Sequence, residues 1–331
     1  MNFDEIVKDK EYRQRVIKFF RLPMRLTVTY EKFMSDMDFI SFHNPELYSK
    51  IIELTESDFD KLCFSQDTEK PDFSLEAELT PIVEEFKENP NFKKFMLINY
   101  GEKFKQDFAF EKSKVSDFYS KNNDGKNFLS IDLVSANWQT LQNIIGFEES
   151  YEEFISKRID LDIPKHSKTV RTKIAGMLCA KNIMDYNMYL LISNRIGILN
   201  SLFKHTGVNL LDKKPDFIYA DEFITELSEE QLKLLHSLDL EEVENKIYID
   251  SGIKIHLRPF KLKWMNVDKA CVKFHKNNFE IINISKDVLL LIEKLISGYE
   301  INEVDFEKIN LKGLSKDEFL NDLIEKISSL K

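Results

Sequence analysis

The stretch Lys126–Leu141, KNFLSIDLVSANWQTL, decides the fold of the middle of the chain. It follows Asp124–Gly125, a pair typical of a turn, and begins with an apolar segment that ends at Asp132. From about Ala136 the pattern favours a helix. The sequence therefore predicts a buried strand with Asp132 near its end, where a charged side chain needs a specific role.

A second stretch, Asp216–Leu227 (DFIYADEFITEL), places two acids between two apolar halves. This pattern predicts a tight strand–turn–strand with Asp221 and Glu222 at its tip. Together with Asp132, these carboxylates are candidate catalytic residues and candidate ligands for a divalent cation, Mg²⁺ or Mn²⁺. Two simpler interpretations stay open, because acids are common in turns and Asp132 could cap the following helix.

Composition limits the class of protein. The chain has 331 residues, of which 43% are hydrophobic and 12% aromatic, so it can form two globular domains or one domain with additions. Its three cysteines are widely spaced and form no Cys-x-x-Cys pair, which argues against a disulfide framework or zinc site. No stretch approaches the roughly 18 apolar residues of a membrane span, so we expect a cytoplasmic protein without a membrane partner.

The charge distribution is uneven. The net charge of −10 argues against a general nucleic acid coat. However, residues 156–195 carry eight Lys or Arg against three Asp, and residues 252–277 carry seven against one. These two basic blocks predict a local basic channel beside the acids.

The order of elements predicts an α+β protein. Residues 1–115 have mostly helical patterns, and residues 285–331 favour helices again. Residues 116–284 are expected to form an α+β domain with a basic helical insertion at 156–205. In this domain a β-α-β-β-α-β order allows helices to cover one face of an antiparallel sheet.

Two signals place the later elements. Ser228 opens a capping box that predicts a helix after the acidic turn. Runs rich in β-forming residues then predict strands or hairpins, and two amphipathic patterns predict C-terminal helices. The strands are expected at Lys246–Asp250, Ile253–Leu257, Lys261–Met265, Ala270–His275 and Phe279–Ile284, and the helices at Ser285–Ile296 and Ser315–Leu330.

Over about residues 126–284 the acidic motifs resemble the palm of template-directed nucleic acid polymerases. In that superfamily one motif ends a strand with Asp, as Asp132 does in SIDLVSAN, and another places two acids on a hairpin, as in IYADEF. The resemblance implies a palm-like fold in which Asn137 lies where such enzymes check the sugar.

Two basic stretches extend the resemblance. HSKTVRTKIAGMLCAKN resembles a helix motif that holds the incoming triphosphate, which implies substrate-binding roles for Lys168, Arg171 and Lys173. Arg and Lys are suited to phosphate, the first by forked contacts and the second as a point charge. KLKWMNVDKACVKFHKNNFEI, which contains Lys263, resembles a hairpin that supports the primer end.

Three functional hypotheses follow. The first is a polymerase-like, metal-dependent nucleotidyltransferase of a phage or mobile element, with nucleic acid and nucleoside triphosphates as partners. The second is a non-enzymatic interaction or nucleic-acid-binding protein on a degenerate palm-like fold, with a possible protein partner. The third is a nuclease that uses the same carboxylates.

Overall fold

A computed structural model describes residues 1–265, 270–307, 309–311 and 313–328. The fold is α+β, with helices at both ends as expected from the sequence. Ahead of the first strand lie α1 (Phe3–Lys8), α2 (Lys10–Phe19), α3 (Tyr30–His43), α4 (Pro45–Gln66), α5 (Glu76–Glu88), α6 (Pro90–Met96), α7 (Tyr100–Asp107), α8 (Val115–Phe118) and a 3₁₀ turn at Lys121–Asn123.

The remaining elements are groups of strands separated by groups of helices. Strand β1 (Asn127–Leu133) is followed by α9 (Ala136–Ile145), α10 (Tyr151–Ser156), α11 (Asp162–His166), α12 (Lys168–Ser193) and α13 (Arg195–Thr206). After β2 (Phe217–Tyr219) and β3 (Glu222–Leu227) come α14 (Glu229–Ser237), α15 (Leu240–Ser251), β4 (Ile255–Trp264), β5 (Cys271–Phe274) and β6 (Phe279–Ile282). The chain then forms α16 (Lys286–Ser297), a 3₁₀ turn at Glu303–Phe306 and α17 (Lys316–Ser328).

The predicted strand at Lys246–Asp250 is wrong, because these residues form the last turns of α15. Its β-forming residues suggested a strand, but Val243 and Ile247 are four residues apart and both are buried, as on one face of a helix. The side chain of Asp239 accepts hydrogen bonds from two backbone N–H groups of the first turn and caps the helix.

The two strands expected at Ile253–Leu257 and Lys261–Met265 are one continuous strand, β4. Pro259 lies in its middle, opposite Leu129 of β1. The N–H of Leu257, two residues earlier, points away from β1 and donates to Glu244, and the nitrogen of Pro259 has the same orientation. The missing N–H of Pro259 therefore removes no bond of the β1–β4 ladder, and the strand continues through the proline.

The chain forms two compact units, and both are discontinuous in sequence. The first contains residues 1–87, 148–177 and 285–331, and the second contains residues 88–147 and 178–284. The sequence predicts continuous ranges instead, namely 1–115, 116–284 and 285–331. The basic block 156–195 is split, because residues 156–177 belong to the first unit and residues 178–195 to the second.

The first unit has a helical core and a buried group of charges. Apolar side chains such as Phe33 and Ile51 pack between its N-terminal helices. Beside them Lys32, Asp36, Lys294 and Asp305 are each at most 4% exposed, and we call these four residues the buried quartet. Each lysine ammonium lies within 3.0 Å of a carboxylate oxygen of both aspartates.

The second unit is built on the sheet. Its described strands are antiparallel to their neighbours and follow the order β2-β3-β1-β4-β5-β6, so β1 lies between β3 and β4. One face of β1, with Leu129, Ile131 and Leu133, packs into a core shared with α12–α15. On the other face, Phe118 and Tyr119 cover an aromatic patch around Phe128, Phe217 and Phe260. Toward the end of β1 this second face becomes polar.

Candidate active site

The strand register brings two of the predicted acids together. Asp132 of β1 lies directly opposite Glu222 of β3 and opposite His256 of β4. Residues directly opposite each other in antiparallel strands point to the same face, with Cβ atoms about 4.5–5.5 Å apart. Ser130 lies on this face too, and its hydroxyl donates a hydrogen bond to Glu222 Oε1 at 2.5 Å. The polar end of the sheet thus presents both carboxylates from adjacent strands.

The third acid, Asp221, lies in the two-residue turn between β2 and β3. Its backbone carbonyl accepts a hydrogen bond from the N–H of Leu133 at 2.9 Å, so the turn lies beside the end of β1. Ala220 in the same turn has a φ of 52°, and Ser135 after β1 has a φ of 49°. Left-handed backbone at residues other than glycine is strained and is concentrated at functional sites. Both loops next to the acids carry such a residue.

The strain at Ala220 leads to a prediction about stability. Changing Ala220 to Gly should raise the free energy of unfolding by about 0.5–1 kcal/mol, because relief of the left-handed strain outweighs the extra freedom of the unfolded chain. Ala109 is the control, because it is exposed, lies in a loop and does not have a positive φ. Ala109→Gly should lower stability slightly, because glycine only adds freedom to the unfolded chain. Urea unfolding of the three proteins measures this. Equal losses in both variants would show that Ala220 carries no strain.

The charges around the acids partly compensate each other. Arg258 of β4, 54% exposed, places its guanidinium 3.6 Å from Asp132 Oδ2. On the side of Glu222, burial raises the pKa of the Tyr119 phenol, and the negative charge of Glu222 raises it further. Tyr119 therefore stays protonated, next to a carboxylate that already accepts a hydrogen bond from Ser130.

The acids suit a divalent cation by their chemistry, although they do not form a complete ligand set. Carboxylate oxygens are the ligands that Mg²⁺ and Mn²⁺ prefer. Across the described residues, no group of three or more His, Cys, Asp or Glu side chains is arranged to hold a metal ion. To bind a cation, Asp132 would have to turn from Arg258, and Glu222 would have to share or release Ser130.

Two of the predicted substrate residues belong to the second unit. Asn137, in the first turn of α9, accepts a hydrogen bond at 3.1 Å from the buried Asn187, so its amide oxygen is already engaged. His256 of β4 lies on the same face of the sheet as Asp132, and successive side chains of a strand point to opposite faces. Lys263 is an odd number of residues after His256, so its side chain lies on the face opposite to Asp132. Its ammonium lies 5.9 Å from the centre of the Phe274 ring. The structure does not bring Lys263 to the acids.

The other predicted substrate residues lie at the start of α12, in the first unit, whereas the acids lie in the second. Lys168 is exposed. The guanidinium of Arg171 stands 5.5 Å from the centre of the Tyr151 ring, and the ammonium of Lys173 pairs with Glu76 at 3.2 Å. Within their own unit, two of these three cations therefore already have partners.

The structure adds polar residues that the sequence did not single out: Ser130, His256 and Arg258. Ser130 could have been found, because it is two residues before Asp132 and a strand repeats its faces every two residues. His256 and Arg258 required the register of β4 against β1, which no local pattern specifies.

The chain was compared with protein-family models, with curated proteins and with solved structures, and none matched. In the part of the chain that the structure describes, no helix combines the length and the apolar character needed to cross a membrane.

Proposed function

We propose that the chain is a metal-dependent nucleotidyltransferase that extends a nucleic acid end, and that its second unit is palm-like. One observation carries the proposal: Asp132 and Glu222 are cross-strand partners on the sheet face opposite to α12–α15, beside the turn that bears Asp221. The strand order β2-β3-β1-β4, with helices between β1 and β2 and between β3 and β4, supports a palm-like arrangement.

The chemistry follows from where the residues lie. Phosphoryl transfer depends on positioning and on neutralising charge, which a bound divalent cation would supply. Asp132, Asp221 and Glu222 are the oxygen donors for it, and they come from two strands and a turn that are fixed by ladder hydrogen bonds. Arg258, released from Asp132, is a cation of this face that can contact a phosphate group.

On the substrate side, we assign Asn137 of the second unit to the sugar. Lys168, Arg171 and Lys173 belong to the first unit and stay candidate phosphate contacts there, as the sequence predicts. Arg258 takes the place of Lys263, because Arg258 lies on the face of the acids and Lys263 lies on the opposite one.

A non-enzymatic interaction protein is the second candidate, and a specific observation favours it. Asp132 and Glu222 both have protein partners in Arg258 and Ser130, and the described side chains include no group of three arranged for a metal ion. A degenerate palm-like fold whose carboxylates are occupied by neighbouring residues would have these features.

The test is an extension assay with the full chain, a labelled primer–template and either Mg²⁺ or Mn²⁺. The substrates are the four ribonucleoside triphosphates together with the four deoxyribonucleoside triphosphates. We expect the primer to lengthen with metal and to stay unchanged with EDTA. Shortening of the strand would favour a nuclease. If no strand changes with either metal, the interaction protein becomes the better interpretation.

A further inference from the structure

The outer edge of β4 borders a cleft that shares only Arg258 with the residues of the catalytic proposal. Among the described strands, β5 pairs only with residues 261–264 of β4, so residues 255–259 have a neighbour on one side alone. The cleft at this edge has a volume of about 550 Å³. It lies between the end of α14, the start of α15, β4 and the turn between β5 and β6.

The edge itself is already protected against pairing with another strand. Glu244 Oε1 accepts the outward N–H of Leu257 at 2.6 Å, and Pro259 has no N–H to offer. Proline and charged side chains are common devices that block an exposed strand edge. The cleft is therefore poorly suited to an added β-strand, and its ligand must be recognised by side chains.

The lining combines an apolar floor with a charged rim. Leu235, Leu257 and Pro259 are buried at the floor, whereas Lys276 and Phe279 are exposed at the opening. Among the lining residues, Arg258 and Lys276 are positively charged and Glu280 is negatively charged, and Glu244 adds a second carboxylate where it accepts the N–H of Leu257. The two cations at this opening are the groups suited to contact a phosphate.

Two histidines determine the hydrogen-bonding character of one wall. His236 Nε2 and His275 Nδ1 lie 3.4 and 3.3 Å from the backbone oxygen of Pro259. A carbonyl oxygen only accepts, so each ring donates from that nitrogen, and in the neutral ring the other nitrogen is an acceptor. Burial lowers the pKa of His275, which keeps that ring neutral near pH 7.

These features of the cleft are complementary to the parts of a nucleotide. A flat heteroaromatic ring fits an apolar floor and can stack on Phe279, its ring N–H or amino groups can donate to the imidazoles, and its phosphate can meet Arg258 and Lys276. The volume lies within the usual range of about 300–1,000 Å³ for small-molecule sites. We infer that this cleft binds one nucleotide unit, either a free nucleoside phosphate or one nucleotide of a single strand.

The cleft is separate from the acids and its proposal stands without catalysis. Arg258 links the two places, since it lines the cleft and also lies 3.6 Å from Asp132. Glu222 does not line the cleft. Binding in EDTA that depends on Phe279 and Lys276, which belong to the cleft lining and not to the catalytic proposal, therefore reports on the cleft.

The test is a titration of the full chain, in EDTA, with ATP and separately with a single-stranded oligonucleotide. Phe279→Ala should weaken binding at least about fivefold, since loss of base stacking on an aromatic ring commonly costs that much or more. Lys276→Gln should also weaken binding, because it removes a positive charge that meets the phosphate. Phe203→Ala and Lys233→Gln are matched controls, because both residues are exposed and lie outside the cleft lining; Phe203 is 46% and Phe279 42% exposed. Both control variants should bind like the parent.

The two probes identify the source of the nucleotide. Binding of ATP that depends on Phe279 and Lys276 supports a free nucleotide, and binding of the oligonucleotide alone with the same dependence supports a strand. The inference is overturned if neither probe binds, or if both variants bind like the parent. A chain that fails to extend primers but passes this test would keep the nucleotide cleft and lose only the catalytic proposal.

Discussion

Changing Glu222 to Gln should reduce primer extension by more than about a hundredfold, because loss of even those residues that only orient metal ligands costs about 10–100-fold. The amide keeps the size of the side chain and its ability to accept from Ser130, but it loses the negative charge that would hold a divalent cation. The measurement is the single-turnover extension rate at saturating Mg²⁺, with the thermal unfolding midpoint as a check of the fold.

Strand β3 offers a matched control for this change. Glu226 lies four residues after Glu222, on the same face of the same strand, and pairs with the exposed Lys126 at 3.7 Å. Glu226→Gln removes an equal charge from the same face and should keep extension within about twofold, since exposed ion pairs contribute little. Equal rates in both variants would exclude Glu222 from the chemistry.

Asp132→Asn should match Glu222→Gln, and the double variant should be little worse than either single variant. Residues that hold one reacting centre act as a unit, so removal of a second member costs far less than the first. Losses that multiply in the double variant would indicate that the two acids act independently.

The sequence predicted the parts of the site that have strong local signals. The apolar run ending at Asp132 forms β1, the acids of DFIYADEFITEL lie at the β2–β3 hairpin, and the capping box at Ser228 begins α14. Each of these signals lies within about ten residues, where alternation, turn preference and capping are decided by neighbours in the chain. Segment type and the presence of acids at strand ends could therefore be predicted.

The rest of the site depends on contacts between distant residues. The pairing of Asp132 with His256 joins segments 124 residues apart in the numbering, and only the assembled sheet determines it. Lys263 illustrates this dependence. Neighbouring residues of β4 point to opposite faces of the sheet, so the face on which Lys263 lies follows only from the register of the strand. The two compact units likewise combine segments from separate parts of the chain, which no change in composition marks.

The buried quartet was also invisible in the sequence, since lysine and aspartate on helices normally face water. Lys32 and Asp36 are one turn apart on α3, Lys294 is on α16, and Asp305 belongs to the 3₁₀ turn that follows. The group is neutral overall, and each charge has two opposite partners within 3.0 Å. Such a group need not add net stability, but removal of one member leaves a buried charge without compensation.

Changing Lys294 to Met should therefore lower the free energy of unfolding by about 3–5 kcal/mol, because Asp36 and Asp305 then share only the charge of Lys32. Urea unfolding at pH 7 measures the loss. Lys316→Met is the matched control, since Lys316 forms an exposed pair with Glu303 and its loss should cost about 0–1 kcal/mol. Adding Asp305→Asn to Lys294→Met restores neutrality and should recover part of the stability, a coupling that separates compensation of charge from loss of packing. The contrary result is a double variant whose free energy of unfolding is lower again than that of Lys294→Met. In that case the quartet stabilises the first unit through its hydrogen bonds and not through its charge balance.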